Sequence, residues 1–288
     1  MRTSYQGFRL LLVHAHPDDE TINNGSTMAM YAALGAEVTL VTCTRGEEGE
    51  VLVPDLAHLA AHVNDSLGDH RVEELAQAMR ALGVTDHRFL GEGLTRYRDS
   101  GMMGTEPNNR PDTFWKADFD EATNYLVKVI DEVKPHIMIT YDEFGGYGHP
   151  DHIQAHRVAM EAAKKSSWDI PKIYWNVMPK SVIQEGIDAM KKIGSDFMGA
   201  ESADDLPFAK DDSFVQARID GNAYVEQKMD AMRAHATQIE VDGPFFALSN
   251  NVGLQVWGYE YYNLVKGVKT EPFDSDGHET DLFSGLVL

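Results

Sequence analysis

Residues 8–20 read FRLLLVHAHPDDE, an apolar run that ends in a short polar turn. The apolar part, 8–14, predicts a buried β-strand, because a short apolar run bounded by turn residues is typical of a parallel-sheet core. A dinucleotide-binding fold would follow this strand with a glycine-rich turn, which is missing here. The consecutive acids Asp18, Asp19 and Glu20 would also repel a pyrophosphate. The turn therefore predicts a polar site at the end of the first strand of an α/β sheet.

Short apolar runs continue to alternate with amphipathic stretches, the pattern of a parallel sheet covered by helices. Residues 92–116 are rich in Gly, Pro, Asn and Asp and predict a loop. The predicted fold class is α/β, a Rossmann-like, mostly parallel sheet flanked by helices, with a smaller C-terminal subdomain. Further strands are expected at 37–44, 86–91, 136–141 and 172–178, and helices at about 25–33, 65–82, 120–133 and 150–164.

The part of the chain after residue 178 is less regular. It predicts an acidic surface loop at about 201–212, a helix at about 223–235 and a weakly patterned tail over about the last 30 residues. A chain of 288 residues is long enough for one large domain. We therefore expect residues 1–178 to form an α/β core and residues 179–288 to pack on it, so that the two parts make one continuous unit.

Two polar loops follow predicted strands, HAHPDDE at 14–20 and DEFGGYGHPDH at 142–152. Ligands of open α/β sheets bind at the carboxyl ends of the strands, so we expect the two loops to meet. His16, Asp19 and His152 then supply two imidazoles and one carboxylate. Such a set holds a catalytic zinc ion and leaves one coordination position open. A lone loop histidine is more often a polar surface residue, but the combination at two strand ends favours a metal site.

Residues beside these ligands predict acid–base chemistry. Water bound to such an ion loses a proton near neutral pH, and Asp18 is expected to act as the general base. His149 is expected to act as a protonated imidazole that stabilises the oxyanion or protonates the departing amine, with Asp151 as its orienting carboxylate. Tyr147, in a glycine-rich loop, is a candidate second donor to the oxyanion. The residues leave open whether Asp18 or His149 protonates the amine.

Two other kinds of protein are compatible with parts of this pattern. Two histidines and one carboxylate also form the iron triad of oxygenases. Those sites commonly lie on all-β barrels, whereas this chain predicts an α/β fold, so hydrolysis is favoured. A non-catalytic sugar-binding protein is the alternative from another class, but a binder has no use for an open metal position.

The charge composition of the chain limits the kinds of binding partner that we expect. Forty-six acidic residues outnumber 25 basic ones, for a formal net charge of −21. Such a surface repels phosphate backbones and anionic membranes, so we expect neither nucleic acid nor membrane as a partner and favour a small neutral or cationic ligand. The single cysteine, Cys43, excludes an intrachain disulfide framework. The sequence contains no signal peptide and no apolar stretch of the ~20 residues that span a membrane, which predicts a cytoplasmic location.

At HAHPDDE and GHPDH the sequence resembles the LmbE-like, or GlcNAc-phosphatidylinositol de-N-acetylase-like, zinc deacetylases. Over most of the chain it resembles the branch of that family that deacetylates N-acetylglucosaminyl-inositol in mycothiol biosynthesis, less so between about 179 and 215. The resemblance implies acetamide hydrolysis on a small sugar-inositol substrate by one zinc ion per subunit, with ferrous iron as the alternative metal. The segments that carry it are TCTRGEEGE (42–50), YRDSGMMGT (97–105), KPHIMITYDEFGGYGHPDH (134–152), PKIYWNV (171–177), AHATQI (234–239), ALSNN (247–251) and ETDLFSGL (279–286).

The resemblance implies the same roles for the metal ligands and the acid–base residues. It adds Arg71 and Asp99 as residues that hold the sugar and inositol hydroxyls, where the residues alone predict a solvated helix position and a turn. Mycothiol S-conjugate amidases, which cleave a larger amide on a similar core, match the two core motifs equally well. CTRGEEGE and RDSGM favour the deacetylase, with some side amidase activity. Glu47 and Glu48 either line the pocket or are solvated, and the oligomeric state is left open.

Overall fold

A central sheet organises the part of the chain that the structure describes. The structure, a computed structural model, describes residues 2–94, 96–192, 194, 197–240 and 258–288. The segment ALSNN at 247–251 lies outside the described residues. Eight strands, flanked by helices, belong to the sheet. The α/β fold that the sequence predicts is confirmed.

Five parallel strands form the first part of the sheet: β1 (Arg9–His14), β2 (Glu37–Thr42), β3 (Asp86–Phe89), β4 (Ile137–Thr140) and β5 (Lys172–Pro179). Their order across the sheet is β3-β2-β1-β4-β5. The helices between them are α1 (Asp19–Ala33), α2 (Leu67–Leu82), α3 (Phe119–Val133), the single turn α4 (Gly145–Gly148) and α5 (Pro150–Lys165). The main departure from the predicted elements is α1, which begins at Asp19 and not near residue 25.

The side chains of the central strand β1 alternate between two hydrophobic layers. Leu10 and Leu12 pack in the layer that contains residues of α1 and α2, and Leu11 and Val13 pack in the layer that contains residues of α3 and α5. All four side chains are fully buried. Burial of each side chain therefore contributes roughly 1.5–3 kcal/mol to the free energy of folding. The run is apolar throughout because both faces of a parallel sheet are covered.

The chain after β5 extends the same sheet. It forms α6 (Lys180–Lys192), β6 (Ala209–Lys210), β7 (Ala217–Asp220), α7 (Val225–Ala234) and β8 (Tyr259–Lys266). β8 pairs antiparallel with β5 on one side and with β7 on the other. Among the described strands, β6 pairs only with the end of β5. The expected weakly patterned tail is therefore wrong at β8, which is a strand of the main sheet with one shift in its register with β5.

β8 was not predicted because its buried face carries an acid. Glu260 and Tyr262 are the buried residues of the strand. Glu260 is neutralised by Lys228 of α7 at 2.8 Å, and charged residues are rarely buried unless they are paired. When one of the inward-facing residues of a strand is charged, the alternation of polar and apolar residues is lost, and the segment is interpreted as exposed to solvent. The acidic segment 201–212 is likewise more than a surface loop, since Leu206 is buried in a cluster with residues of α6.

The connections between the strands and helices contain several short 3₁₀ turns. The expected loop at 92–116 includes two of them. Within the described ranges, no helix is long and apolar enough to cross a membrane. The 3₁₀ turns lie at Pro54–Leu59, Glu106–Asn109, Phe114–Lys116, Ala203–Asp205, Asp212–Phe214 and Asn222–Tyr224.

Candidate active site

The two polar loops lie side by side because β1 and β4 are neighbouring parallel strands. The chain after each strand emerges at the carboxyl edge of the sheet. After β1, residues 15–18 lead into α1, whose acidic first turn suits the positive end of the helix dipole. After β4, residues 141–149 lead into α5, which begins with Pro150 where a missing N–H costs no helical hydrogen bond.

His16, Asp19 and His152 bring three ligand atoms together. His16 Nδ1 lies 3.2 Å from His152 Nε2, and Asp19 Oδ2 lies 3.4 Å from each of these nitrogens. Tetrahedral zinc with bonds of about 2.0–2.1 Å separates its ligand atoms by about 3.3–3.4 Å. The three atoms thus have the spacing of one face of a metal tetrahedron. Burial lowers the pKa of His152 to about 4, which keeps the ring in the neutral form that binds metal.

A second contact orients each imidazole. His16 Nε2 lies 3.3 Å from Asp151 Oδ2, and His152 Nδ1 lies 3.1 Å from the carbonyl oxygen of Gly145. Metal-binding histidines usually have such an oxygen at the ring nitrogen that does not bind the metal. Burial acts to lower the pKa of His16, but neighbouring carboxylates, Asp99 foremost, outweigh it and raise the pKa.

Tyr141 orients the carboxylate of Asp19 in the same way. Its hydroxyl donates to Asp19 Oδ2 over 2.7 Å and accepts the backbone N–H of Ala15 over 2.9 Å. Its ring stacks on the ring of His152, with centroids 4.3 Å apart. Tyr141 therefore contacts two members of the triad, and it is buried.

A second group of ligand-type atoms lies on the other side of the His16 ring. His16, Asp99 and Asp151 have atoms that all lie within 4.8 Å of one another. The cavity at this edge of the sheet is lined by Asp19 and His152 but by neither Asp99 nor Asp151. A ligand in the cavity therefore meets Asp19 and His152 of the triad and neither carboxylate of the second group.

Asp18 occupies the N-cap of α1 with a φ of 104°. A non-glycine residue in a sparsely populated backbone region costs about 1–3 kcal/mol and persists only where its surroundings hold it there. The carboxylate makes no capping bond, lines the cavity and lies 3.1 Å from the guanidinium of Arg71. Burial raises the pKa of Asp18 to about 7, against the opposing charge of Arg71 and with the aid of Asp19. A carboxyl group with a pKa near neutrality is suited to accept and release a proton.

The His149 ring faces the same region in its neutral form. His149 Nδ1 accepts the backbone N–H of Asp151 over 3.1 Å, so the neutral ring carries its proton on Nε2. His149 Nε2 lies 3.9 Å from Asp99 Oδ1. Burial, followed by the charges of His16 and His152, lowers the pKa of His149 to about 2. Burial thus favours the neutral ring over the expected protonated imidazole, and the Nε2–H of that neutral ring is a donor.

The carboxylate of Asp151 does not orient His149, contrary to the expectation. It accepts the backbone N–H of Ser100 over 2.8 Å and the hydroxyl of the same residue, and it lies 3.3 Å from His16 Nε2. Asp151 lies in the first turn of α5, where its backbone N–H faces His149 while its side chain faces His16. Burial raises the pKa of Asp151 to about 6, with His16 opposing the rise.

Tyr147 lies on the single helical turn α4 and is 39% exposed. Its ring meets the ring of His152 edge-on at 4.9 Å, and it lines the cavity. Gly146 has φ 74° and ψ −74°, a conformation for which glycine is the favoured residue. The N–H of Gly146 donates to Asp142 over 2.8 Å. Burial raises the pKa of Tyr147, so its hydroxyl keeps its proton and can donate.

Arg71 and Asp99 are both buried, with 2% and 4% of their surface exposed. Arg71 donates to two backbone carbonyls and to the carboxylate of Asp18. Asp99 accepts two backbone N–H groups and lies 3.6 Å from His16 Nε2. Neither is among the described residues that line the cavity. The structure places them behind the base and behind a candidate metal ligand.

The cavity beside the triad has a volume of about 680 Å³, within the range of about 300–1,000 Å³ that small-molecule sites occupy. One wall is polar and carries Asp18, Asp19, Tyr147 and His152. The facing wall is largely apolar and comes from the end of β5 and the chain after it. Its members are Met178, Met198, Leu206, Pro207, Phe208 and Lys210.

The family assignment follows from the part of the chain that builds this site. Residues 11–163 match the family model of PIG-L, GlcNAc-PI de-N-acetylase. The chain belongs to the GlcNAc-PI de-N-acetylase family. It is 59% identical, over 97% of its length and 90% of the relative's, to the 1D-myo-inositol 2-acetamido-2-deoxy-alpha-D-glucopyranoside deacetylase 1 of Catenulispora acidiphila. It is 58% identical, over 96% of its length and 98% of the relative's, to the deacetylase of the same substrate name in Geodermatophilus obscurus.

Solved structures share the fold at low sequence identity. N,N'-diacetylchitobiose deacetylase from Pyrococcus horikoshii has a TM-score of 0.56 at 20% identity, over 90% of this chain and 84% of that one. GalB, the 4-carboxy-2-hydroxymuconate hydratase of Pseudomonas putida, has a TM-score of 0.59 at 18% identity, over 93% of this chain and all of that one. A deacetylase and a hydratase therefore share this fold, and the reaction has to be argued from the site.

Sequence reasoning missed several residues that hold the site together. Tyr141 could have been found, because it ends the predicted strand 136–141 at the same edge as the triad. Ser100 and His235 lie in YRDSGMMGT and AHATQI, which carry the family resemblance, but their local sequence does not show which site residues they contact. Glu20 stands in the HAHPDDE motif, but its partner is His235, 215 positions away.

Proposed function

We propose that this protein hydrolyses the acetamide of 1D-myo-inositol 2-acetamido-2-deoxy-α-D-glucopyranoside to the free amine and acetate, a step of mycothiol biosynthesis. One observation carries the proposal. Asp18, Asp19 and His152 line one cavity and His16 completes the triad beside them, in a chain 55–59% identical over nearly its whole length to enzymes named for this deacetylation.

We infer that His16, Asp19 and His152 hold the metal ion and that the ion is zinc. Two imidazoles and one carboxylate leave a coordination position free for a substrate or water. The bound ion would polarise the acetamide carbonyl and lower the pKa of water. Ferrous iron accepts the same donors, so the metal that supports turnover has to be measured.

The residues around the cavity divide the proton transfers between them. Asp18 takes the proton of the attacking water, for which its raised pKa and its place on the cavity wall suit it. The Nε2–H of His149 and the hydroxyl of Tyr147 donate to the acetamide oxygen as it gains negative charge. Asp18 then returns its proton to the departing amine, a role for which His149 is less suited because burial favours its neutral form.

Arg71, Asp99 and Asp151 are proposed to act through other residues. Arg71 fixes the carboxylate of Asp18, and Asp151 fixes the ring of His16. Their buried contacts favour these positioning roles over direct contact with sugar hydroxyls, and the same argument applies to Asp99. Substrate hydroxyls are more accessible to the polar groups that line the cavity.

We propose that residues 1–178 and 179–288 act as one catalytic unit. Leu206, Phe208, Lys210 and Gln238 line the cavity together with residues of the first part. Lys210 also pairs with Asp142 of the loop that carries Tyr147, at 2.8 Å. A chain that ended at residue 178 would lack one wall of the cavity.

The test is release of free amine from N-acetylglucosaminyl-inositol by the purified protein, with and without a chelator. We expect release that the chelator abolishes and that added zinc or, without oxygen, ferrous iron restores. Release that is insensitive to the chelator would contradict a metal mechanism. Binding of the substrate without any release would identify a sugar-binding protein. Parallel assays with a mycothiol S-conjugate measure the side amidase activity.

A further inference from the structure

His235 and Glu20 form a buried pair that connects the C-terminal part of the chain to the turn after β1. His235 Nε2 lies 2.9 Å from Glu20 Oε1, and both side chains are fully buried. His235 ends α7, and Glu20 lies in the first turn of α1. A buried carboxylate is stable only when it is paired or hydrogen-bonded. The imidazole, together with the Thr21 hydroxyl that donates to the same oxygen over 2.6 Å, therefore fixes where the Glu20 carboxylate can lie.

The other oxygen of Glu20 reaches the proposed base. Glu20 Oε2 accepts the backbone N–H of Asp18 over 2.9 Å. That N–H belongs to a residue with a φ of 104°, a conformation that side-chain-bearing residues keep only when their surroundings over-determine it. Glu20 thus holds the backbone of Asp18 from one side, while Arg71 contacts the carboxylate of Asp18 from the other at 3.1 Å.

His235 is itself anchored independently of Glu20. Two positions further on, the N–H and hydroxyl of Thr237 donate to the two carboxylate oxygens of Glu74, at 2.9 and 2.8 Å. Glu74 lies on α2, close to one helical turn after Arg71. The segment that carries His235 is therefore held by α2. Because of this anchor, the imidazole sets the position of Glu20 and does not merely follow it.

We propose that His235 is a positioning residue for Asp18. By holding Glu20, it fixes the backbone of Asp18 and directs the Asp18 carboxylate toward the cavity. The inference rests on the proposed function, in which Asp18 is the general base. His235 is buried and does not line the cavity, so its effect on turnover passes through Glu20 and Asp18.

The first test compares two substitutions at His235 in the metal-loaded protein. His235→Leu removes the donor, and we expect kcat to fall by about 10–100-fold, the scale on which misplaced catalytic groups act. KM and bound metal should stay unchanged, because neither the cavity wall nor the triad is altered. His235→Gln keeps a donor near the place of Nε2 and should restore most of kcat. An equal loss in both variants would contradict the role of the donor.

A matched control separates positioning from loss of stability. Lys172 and Glu279 form another buried pair, at 2.7 Å, in which Lys172 belongs to β5. Lys172→Met should lower Tm and leave kcat of the folded protein unchanged. A fall in kcat as large as that of His235→Leu would show that breaking any buried pair slows the enzyme, and would overturn the proposal.

A double-mutant cycle distinguishes this inference from the proposed function. If His235 acts through Asp18, the variant Asp18→Ala/His235→Leu should be no slower than Asp18→Ala alone. If the double variant lost kcat by the product of the two single losses, His235 would act independently of Asp18. That result, or full kcat in His235→Leu while Asp18→Ala is impaired, would overturn the positioning role and leave the proposed function intact. Near-normal activity of Asp18→Ala would overturn both. If His235→Leu does not fold, Glu20→Gln takes its place in the cycle, with the same outcomes deciding.

Discussion

The two edges of the sheet carry cavities of similar size and different chemistry. At the edge formed by the amino ends of the parallel strands, a cavity of about 720 Å³ is lined by Arg88, Asp86 and Glu132. Arg88 pairs with Asp86 at 2.7 Å and with Glu132 at 2.9 Å, and all three side chains are partly exposed. At the carboxyl edge, the cavity of about 680 Å³ lies against buried imidazoles and carboxylates. Cavity size therefore does not distinguish the two edges.

The burial and the pKa values of the charged groups do distinguish the two edges. Exposed ion pairs are screened by water and are worth about 0–1 kcal/mol. At the carboxyl edge, burial raises the pKa of Asp18 to about 7 and lowers the pKa of His149 to about 2. Groups that are buried and displaced from their ordinary protonation range are typical of functional sites. The comparison supports the proposed site at the carboxyl edge over the groove at the other edge.

The largest expected effect comes from removing the proposed base. Asp18→Ala should lower kcat by ~10³-fold or more, the scale of losing a base in a metal-water mechanism. Bound metal should be retained, because Asp18 is not one of the three triad residues. Deacetylation rates and metal content of the same preparation provide the measurement. Asp86→Ala, at the opposite edge, is the matched control and should turn over normally; near-normal turnover in Asp18→Ala would end its assignment as the base.

The next effect is on the metal itself. His152→Ala removes one triad nitrogen and should weaken metal binding by more than about 100-fold, beyond the range for residues that only orient a ligand. Metal content after dialysis against a weak chelator measures this. His156→Ala is the control, since His156 is buried on the same helix α5 and bonds to the carbonyl of Tyr141. Full metal occupancy in His152→Ala would exclude His152 from the ligand set.

A smaller effect is expected where a residue orients a ligand. Tyr141→Phe deletes the hydroxyl that donates to Asp19 over 2.7 Å. Metal affinity should fall by about 10–100-fold, as for other contacts to metal ligands. Competition with a chromogenic chelator gives the affinity directly. Tyr174→Phe, which removes a buried hydroxyl bonded to Glu279, should leave metal affinity unchanged. Equal affinities in the two variants would mean that Asp19 holds its position without Tyr141.

The parallel strands and the two polar loops could be predicted because each is encoded locally. The run 8–14 is apolar on both faces, and the polar residues start where that run ends. The start of α1 at Asp19 was also readable, since acids in a first helical turn are favourable, but the acids were interpreted as loop.

Contacts between distant segments could not be predicted. Burial of Glu260 depends on Lys228, and the position of Glu20 depends on His235. The role of Asp151 was assigned to the nearer histidine in sequence, whereas its carboxylate contacts His16, 135 positions away. Sequence spacing identifies which residue types are available, and only the packing of the helices decides which of them meet.

The smallest expected effect comes from a substitution at the amino edge of the sheet, where we expect no catalysis. Arg88→Met removes the cation that pairs with Asp86 and Glu132 at the amino-edge cavity and should cost no more than about 1 kcal/mol in the free energy of unfolding, because its partners are exposed. Denaturant unfolding measures this cost, and high salt should reduce the difference between native and variant protein. kcat and bound metal should not change. A tenfold loss of kcat would mean that the amino edge is coupled to the reaction, and the contrast between buried and exposed charges would then no longer locate the chemistry in this sheet.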